Sequence, residues 1–374
     1  MTSRRSASKF PWGVIGMLPI LVAVEAWIES RALDITSPAT MSWRLSESAS
    51  RHEAVDADVL FLGDSLVKHG LLPEISARQS GLKGFNLSVC AAQAAADYHL
   101  LLHAIESGAK PSKLVVAYTP DLLMGSPREL LRCYPELLTP AEAIELARVD
   151  RDTSFGIETL INMVFRSIKA RHEIRDFLHK TYLGSGDSSP RPVSQMLARN
   201  WSIHQGAQFT PENPSYHGEV TPGDLKRLNA SRFWCHRTNR IYVEKLLKLA
   251  ESRRIQVYWL LSPMAPQVQA ERDRSGAETR FESFVGSFRG SNPTLQVIDA
   301  RRSGYGPDLF VDPVHLNGRG ALALTQQVAA ILKREESGGW TIVDAPKVPA
   351  ELPDLEDLHG SRLAVETQNG ATIR

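Results

Sequence analysis

The sequence predicts an α/β fold built on a parallel sheet, and two observations support this prediction. Apolar stretches at 58–62, 85–89 and 114–118 have the length of buried strands. The segments between them, at 72–78 and 91–103, have the composition of helices. Because parallel strands are joined by crossover connections that are usually helical, this alternation indicates a sheet covered by helices on both faces.

The same alternation returns near the end of the chain. Apolar stretches at 257–261 and 295–298 predict a fourth and a fifth strand. Helices are expected at 239–253, 267–288 and 321–332, and the first of these has the apolar spacing of a face that packs on a sheet. The fold class that we expect is therefore a three-layer α/β/α sandwich with five parallel strands.

A long insertion separates the third predicted strand from the fourth. Between about residues 124 and 235 the sequence contains an apolar-rich helix near 157–168, a turn-rich break at 184–192 and an aromatic-rich stretch at 201–234. Two interpretations are open for this insertion. It is either a decorative subdomain with a small core of its own, or a lid that shapes a substrate groove beside the carboxyl edge of the sheet.

The turn after the first strand carries the first candidate for chemistry. Gly63, Asp64 and Ser65 follow the apolar strand and precede a short helical segment, so the Ser65 hydroxyl lies between a strand and a helix N-terminus. Unpaired backbone N–H groups and the helix dipole favour negative charge at such a position. Ser65 is therefore a candidate nucleophile, with an ordinary helix cap as the alternative. We expect Asp64 to brace the turn by accepting backbone N–H groups.

A second candidate stretch precedes the last predicted helix. Asp312 stands three residues before His315, and Pro313 restricts Asp312 to extended conformations. A serine needs a base at neutral pH, and the base needs an acceptor on its other ring nitrogen, so this pair can supply both. Asn317 is placed to cap the helix that follows.

These two stretches together resemble blocks I and V of the SGNH, or GDSL-type, hydrolases. The matching residues are Gly63-Asp64-Ser65-Leu66 and Asp312-Pro313-Val314-His315, and the resemblance extends over about 55–335. The resemblance implies a flavodoxin-like sandwich and ester chemistry at a catalytic triad. Ser65 would be the nucleophile, His315 the base and Asp312 the partner that orients the base. No cofactor is implied.

The resemblance also implies an oxyanion hole made of backbone N–H groups. Ser65 would supply the first, and Ala91 stands near the position of a family glycine that follows the second strand. The family's asparagine after the third strand has no counterpart, and Pro120 has no N–H to replace it. Losing one donor costs about 10²- to 10³-fold in rate. Asn86 and Thr119 also fall near strand ends, where turn or capping roles are favoured over substrate contact.

Members of this superfamily that act on cell-envelope polysaccharides also depart from the usual blocks, and some are tethered to membranes. The expected function is therefore a serine-dependent acyl-ester hydrolase, with O-acyl groups of an envelope glycan as the substrate. An acylated small molecule is the other substrate class. Two alternatives remain open: an O-acyltransferase of the same fold, and a non-catalytic, tethered glycan-binding or scaffold protein. The sequence identifies no protein partner.

Charge and residue spacing argue against several other classes of protein. Lysine plus arginine, at 43 residues, nearly balance aspartate plus glutamate, at 42, so no basic excess predicts nucleic-acid binding. Gly63 is isolated, which argues against a dinucleotide-binding loop. We also expect no metal site among the histidines. Three of them lie near the first two strands: His69, His99 and His103. Three more lie in the insertion without ligand spacing: His204, His217 and His236.

Residues 1–33 are expected to form a membrane anchor or a signal segment. Arg4, Arg5 and Lys9 precede an apolar run over 10–24. As a helix this run covers about 22 Å, which is short of the roughly 30 Å hydrocarbon core. It is either a short anchor or the apolar region of a cleaved secretory signal, with a buried or interfacial helix as the structural alternative. The upstream positive charges would orient an anchored domain away from the cytoplasm.

The cysteines and the carboxyl terminus complete the expectations. Cys90, Cys133 and Cys235 are expected to be buried free thiols, with a Cys133–Cys235 pair as the alternative if the insertion is extracytoplasmic. Residues 336–374 are rich in glycine, proline and acidic residues, and we expect this tail to be disordered.

Overall fold

The computed structural model describes residues 12–31, 35–183, 191–334 and 338–348 of the chain. Within them, one sheet of six parallel strands has the order β2-β1-β3-β4-β5-β6. The strands are β1 (Val59–Gly63), β2 (Gly84–Asn86), β3 (Lys113–Ala117), β4 (Gln256–Leu261), β5 (Gln296–Asp299) and β6 (Gly339–Ile342). The prediction of an α/β fold with a parallel sheet is confirmed.

Helices precede β1 and lie in every connection between consecutive strands. Those before β3 are α1 (Trp12–Ser30), α2 (Pro38–His52), α3 (Ser65–Gly70), α4 (Pro73–Ser80) and α5 (Ala94–Glu106). The insertion contains α6 (Pro140–Asp150), α7 (Thr153–Val164), α8 (Arg166–Lys169), α9 (Arg171–Leu183), α10 (Arg191–Ile203) and α11 (Pro222–Arg227). The remaining helices are α12 (Arg237–Ser252), α13 (Pro266–Arg274), α14 (Ala277–Arg289) and α15 (Gly318–Leu332).

Strand β1 lies inside the sheet, and its alternating side chains enter two separate apolar cores. Leu60 and Leu62 pack in one core with residues of α5 and α12. Val59 and Phe61 pack in the other with residues of α3 and α15. Successive side chains of a strand point to opposite faces, so a continuous apolar run is the pattern that a sheet covered on both sides requires. This arrangement is consistent with a three-layer sandwich.

The insertion shares the core of the sheet instead of building a core of its own. Tyr134, Leu146 and Phe155 belong to the same apolar cluster as Leu60 and Leu62. Tyr134 also packs edge-on against Trp43 of α2, with 5.2 Å between the ring centroids. The described part of the insertion is therefore an integral part of the domain.

The sixth strand is a difference from the sequence-based expectation of five. Strand β6 lies within the stretch that was expected to be disordered, and it pairs in parallel with β5 from Gln296 opposite Gly339. Trp340 secures this edge, because its indole N–H donates to a carboxylate oxygen of Asp299 at 3.1 Å. Trp340, Thr341 and Ile342 are residues that favour strands, but the strand is only four residues long and stands in a tail whose composition is that of a loop. Residues 349–374 of the expected tail lie outside the described residues.

Three other expectations differ from the structure in detail. The second strand ends at Asn86, although the N–H groups of Leu87 and Val89 still donate to the β1 carbonyls of Phe61 and Gly63. The long helix expected at 267–288 is two helices, α13 and α14, separated at Gly276, which adopts a positive φ of 71°. The three cysteines are free, and each is partly buried rather than fully buried.

Helix α1 covers most of the expected amino-terminal segment, and Arg4, Arg5 and Lys9 lie outside the described residues. The helix contains Pro19 and continues past Glu25, whose carboxylate accepts the backbone N–H of Ser167 at 3.2 Å. In the part of the chain that the structure describes, no helix combines the length and the apolar character that a membrane crossing needs.

Candidate active site

The structure brings together the three side chains that the sequence singled out for catalysis. His315 Nε2 lies 2.7 Å from Ser65 Oγ, although the two residues are 250 positions apart. On the other side of the ring, His315 Nδ1 lies 2.6 Å from Asp312 Oδ2. Both contacts have hydrogen-bond length, so serine, imidazole and carboxylate form one continuous relay.

A sharp turn at the end of β1 positions Ser65. Gly63 has a φ of 135°, and a Cβ atom there would stand 2.2 Å from the carbonyl oxygen of Ala117, so only glycine fits. The Asp64 carboxylate accepts the backbone N–H of Leu66 at 2.8 Å and thereby caps α3. It also accepts the N–H of Thr119, which ties the turn to the end of β3. Asp64 therefore has the bracing contacts that were expected of it.

The position of the site follows from the sheet topology. β1 pairs with β2 on one side and with β3 on the other, so the connections that leave the two sides of β1 diverge at its carboxyl end. Open α/β sheets bind ligands at such a switch point. The loop with Asp312 and His315, between β5 and α15, reaches the same edge.

A network within the loop holds the Asp312 carboxylate in place. Its Oδ1 accepts the backbone N–H groups of Val314 at 2.8 Å and of His315 at 2.9 Å, which leaves Oδ2 for the imidazole. Burial alone would raise the pKa of Asp312, but the hydrogen bonds and the charge of His315 outweigh it and lower this pKa to about 2. Asn317 caps α15 by accepting the N–H of Gly320 at 3.0 Å, as expected.

This arrangement determines what the imidazole can do. An ionised Asp312 only accepts hydrogen bonds, so the imidazole proton lies on Nδ1 and Nε2 is left as an acceptor for the Ser65 hydroxyl. The serine can then lose its proton to His315 as it attacks. The resulting imidazolium is stabilised by the adjacent carboxylate.

The two backbone N–H groups expected to hold an oxyanion, those of Ser65 and Ala91, are without hydrogen-bond partners among the described residues. Ala91 adopts a φ of 59°, the left-handed conformation that a glycine takes at lower cost, and for alanine this costs about 1 to 2 kcal/mol. The N–H of Val89 donates to the carbonyl of Gly63 at 3.0 Å, which places the Ala91 turn beside the end of β1.

In the segment after β3, neither Thr119 nor Pro120 can donate a backbone N–H to an oxyanion. The N–H of Thr119 is used by Asp64, and Pro120 has none. Asp121 comes next, and burial raises the pKa of its carboxyl group to about 6. Asn86 has no role toward substrate in this arrangement, because its buried amide donates to the carbonyls of Val67 and Leu71, both at 3.0 Å.

A second histidine beside the triad was not recognised from the sequence. The ring centroid of His69 lies 5.2 Å from that of His315, and His69 Nδ1 lies 2.6 Å from the hydroxyl oxygen of Thr210. Burial and the neighbouring His315 lower the pKa of His69 to about 3, so this ring is neutral at physiological pH. The available signal was spacing, since His69 follows Ser65 by four residues and shares its helix face.

A buried lysine on the same helix as Ser65 was also missed. Lys68 Nζ donates to the carbonyl oxygens of Ser88 at 2.9 Å and Gly206 at 3.0 Å. The same ammonium group lies 4.0 Å from the ring centroid of Trp201. Lys68 thus links α3 to the turn after β2 and to the insertion. The insertion therefore borders the site at two places, through Gly206 and through Thr210.

The sequence matches no protein-family model, and no curated protein is significantly similar to it. The site is therefore interpreted from its own geometry. That geometry is a serine at a strand-to-helix turn, a histidine on a distant loop and a carboxylate that orients the histidine.

Proposed function

We propose that the protein is a serine-dependent acyl-ester hydrolase of the SGNH, or GDSL-type, superfamily. The observation that carries this proposal is the relay in which Ser65, His315 and Asp312 are joined at 2.7 and 2.6 Å. Supporting observations are the position of Ser65 after β1 and the strand order, which contains the flavodoxin-like order 2-1-3-4-5 with one added edge strand.

The chemistry proceeds in two halves. Ser65 Oγ attacks the ester carbonyl while its proton moves to His315 Nε2, and the N–H groups of Ser65 and Ala91 hold the oxyanion. Collapse of this intermediate breaks the ester C–O bond, and His315 gives its proton to the departing alcohol. Water then attacks the acyl-enzyme with His315 as base, which releases the carboxylic acid and restores the Ser65 hydroxyl.

For the substrate we propose O-acyl groups of a cell-envelope glycan, with the domain attached to a membrane outside the cytoplasm. The support is the amino-terminal segment: α1 exposes Met17, Ile20 and Val22, and basic residues precede it in the sequence. The neighbouring insertion exposes Ile157 and Val164 of α7. An ion pair between Arg166 of α8 and Glu29 of α1 links these two apolar surfaces.

The test is labelling of the full-length protein with a fluorophosphonate, which reacts with activated serines. We expect labelling of the wild type, loss of labelling in Ser65→Ala and in His315→Ala, and retention in Ser283→Ala, a control serine exposed on α14. Labelling that survives Ser65→Ala would refute the assignment of the nucleophile. A wild type that does not react between pH 6 and 9 would favour the non-catalytic scaffold.

A partition experiment separates hydrolase from transferase. An activated acetyl ester is supplied with and without a sugar acceptor, and free acetate and acetylated sugar are both measured. A hydrolase releases acetate at a rate that the acceptor does not change. Transfer of most acetyl groups to the sugar would establish the O-acyltransferase instead.

A further inference from the structure

Two histidines and one glutamate converge outside the triad, between α5 and α6. His99 and His103 are four residues apart on α5 and fully buried, and Glu142 lies in the first turn of α6. Glu142 Oε1 is 3.3 Å from His99 Nδ1 and 2.8 Å from His103 Nε2. These three donor atoms all lie within 4.8 Å of one another.

Within the part of the chain that the structure describes, hydrogen bonds account for only one of the four ring nitrogens of His99 and His103. Neither ring nitrogen of His99 has a hydrogen-bond partner among the described residues, and the same is true of His103 Nδ1. The contact of His99 Nδ1 with Glu142 has the length of a hydrogen bond but lacks its direction. An imidazole carries at least one N–H, and a buried N–H without an acceptor is unfavourable. The buried His99 ring therefore has Nδ1 at 3.3 Å from Glu142 Oε1 without the alignment of a hydrogen bond, and its Nε2 has no partner among the described residues.

We propose that His99, His103 and Glu142 bind a divalent cation, and that zinc fits the site best. Zinc binds imidazole nitrogen and carboxylate oxygen at about 2.0 to 2.2 Å, so two ligands in a tetrahedral site lie about 3.3 Å apart. His99 Nδ1 and Glu142 Oε1 stand at this separation, whereas His103 Nε2 and Glu142 Oε1, at 2.8 Å, would have to move apart by about 0.5 Å on binding. Imidazole with carboxylate also suits zinc better than magnesium or calcium, which prefer oxygen ligands.

The surroundings of the glutamate support a ligand role. Its second oxygen, Oε2, accepts the backbone N–H of Thr139 at 2.7 Å and the Thr139 hydroxyl at 2.9 Å, so the carboxylate is oriented by a capping box. Hydrogen bonds of this kind fix a ligating group in a metal site. The side chain of Glu142 is 15% exposed, which gives solvent a path to the fourth coordination position. The same exposure lets a metal ion enter.

A cation here would be structural. It would join α5, the helix that begins just after the Ala91 turn, to α6, a helix of the insertion. The outer ring nitrogens of His99 and His103 lack acceptors. A ligating histidine normally donates its outer N–H to an acceptor, and loss of that hydrogen bond weakens metal affinity by about 10- to 100-fold. We therefore expect zinc to bind one per chain and to be removed readily by a chelator.

The experiment uses the full-length protein without a histidine tag, stripped with a chelator and titrated with zinc. We expect one zinc per chain and a rise in Tm of roughly 5 °C at a hundredfold excess over Kd. Cobalt should give the visible absorption bands of a tetrahedral site. In Glu142→Gln, which can keep part of the capping box, and in His103→Gln, zinc affinity should fall at least tenfold. His52→Gln, at an exposed histidine at the end of α2, should bind as the wild type does.

Two results would overturn the proposal. The first is a wild type that binds less than one equivalent of zinc and shows no change in Tm with zinc. The second is equal zinc affinity in the wild type, Glu142→Gln and His103→Gln. Either would leave Glu142 as a hydrogen-bond partner of His103 and a close neighbour of His99, and nothing more. Stoichiometry and Tm are measured on the wild type, so they decide the question even where a variant fails to fold.

Discussion

Replacing Asp312 with asparagine tests the relay most directly, because the loop dictates how the new side chain must lie. Oδ1 of Asp312 accepts two backbone N–H groups, those of Val314 and His315. In Asp312→Asn the amide oxygen must take that place, since an NH₂ group there would face two donors. The NH₂ group then faces His315 Nδ1 and donates to it, so the imidazole proton moves to Nε2.

An imidazole with its proton on Nε2 cannot accept the Ser65 proton. The structure therefore predicts a loss of about 10⁴-fold in kcat, the size seen when a triad carboxylate becomes an amide. At 1.36 kcal/mol for each factor of ten, this corresponds to about 5.5 kcal/mol of transition-state stabilisation. Because the backbone contacts of the loop are retained, the thermal stability of the variant should change little.

The assay is the rate of fluorophosphonate labelling and of ester hydrolysis at pH 7 to 8, with Tm measured on the same samples. The matched control is Asp308→Asn, because Asp308 precedes the same loop and its side chain is 67% exposed. The control should react at the wild-type rate. A loss of less than tenfold in Asp312→Asn, with an unchanged Tm, would refute the proposed role of Asp312.

Two further predictions concern stability. Gly63→Ala should lower the unfolding free energy by more than about 4 kcal/mol, because the new Cβ would stand 2.2 Å from the Ala117 carbonyl oxygen. The control is Gly286→Ala on α14, where the new Cβ has open space and should stabilise the protein by up to about 1 kcal/mol. Equal urea midpoints for the two variants would contradict this. Burial raises the pKa of Asp97 to about 8, whereas an aspartate in the unfolded chain has a pKa of roughly 3.9. Between these two pH values the folded protein keeps a proton that the unfolded chain releases. The unfolding free energy therefore falls between about pH 4 and pH 8, by up to about 1.4 kcal/mol for each pH unit. In Asp97→Asn the side chain can still accept the N–H of Gly63, so this fall with pH should disappear. The unfolding free energy of the variant minus that of the wild type, measured with urea, should be larger at pH 8 than at pH 5. Parallel pH profiles of the two proteins would disprove the assignment to Asp97.

Much of the fold was predictable because its signals are local. The apolar run of β1 is buried along its whole length and needs no partner to be recognised. The Gly63 turn and the Asn317 cap were likewise readable from residue type, since each acts on its own backbone. Strand β6 was missed although Trp340, Thr341 and Ile342 favour strands, because it is four residues long and is flanked by segments of loop composition; its pairing with β5 decides it.

The same division holds for the candidate site. Asp312 and His315 are three residues apart, so one loop can join them, and the sequence indicates this pair directly. His69 could have been identified from the sequence, because it follows Ser65 by four residues and therefore shares its helix face. Lys68 was not, because the contact that explains it is with Gly206, 138 residues away.

By itself, therefore, the sequence determined the layered α/β pattern and the residue types that a serine relay requires, because helix and strand periodicity and turn chemistry act over a few residues. Only the tertiary structure decided that Ser65 meets His315 across 250 positions. Only the tertiary structure, too, placed Glu142 against His103, 39 residues before it in the chain. Contacts of this kind arise where separate elements pack together, and no local pattern along the chain records them.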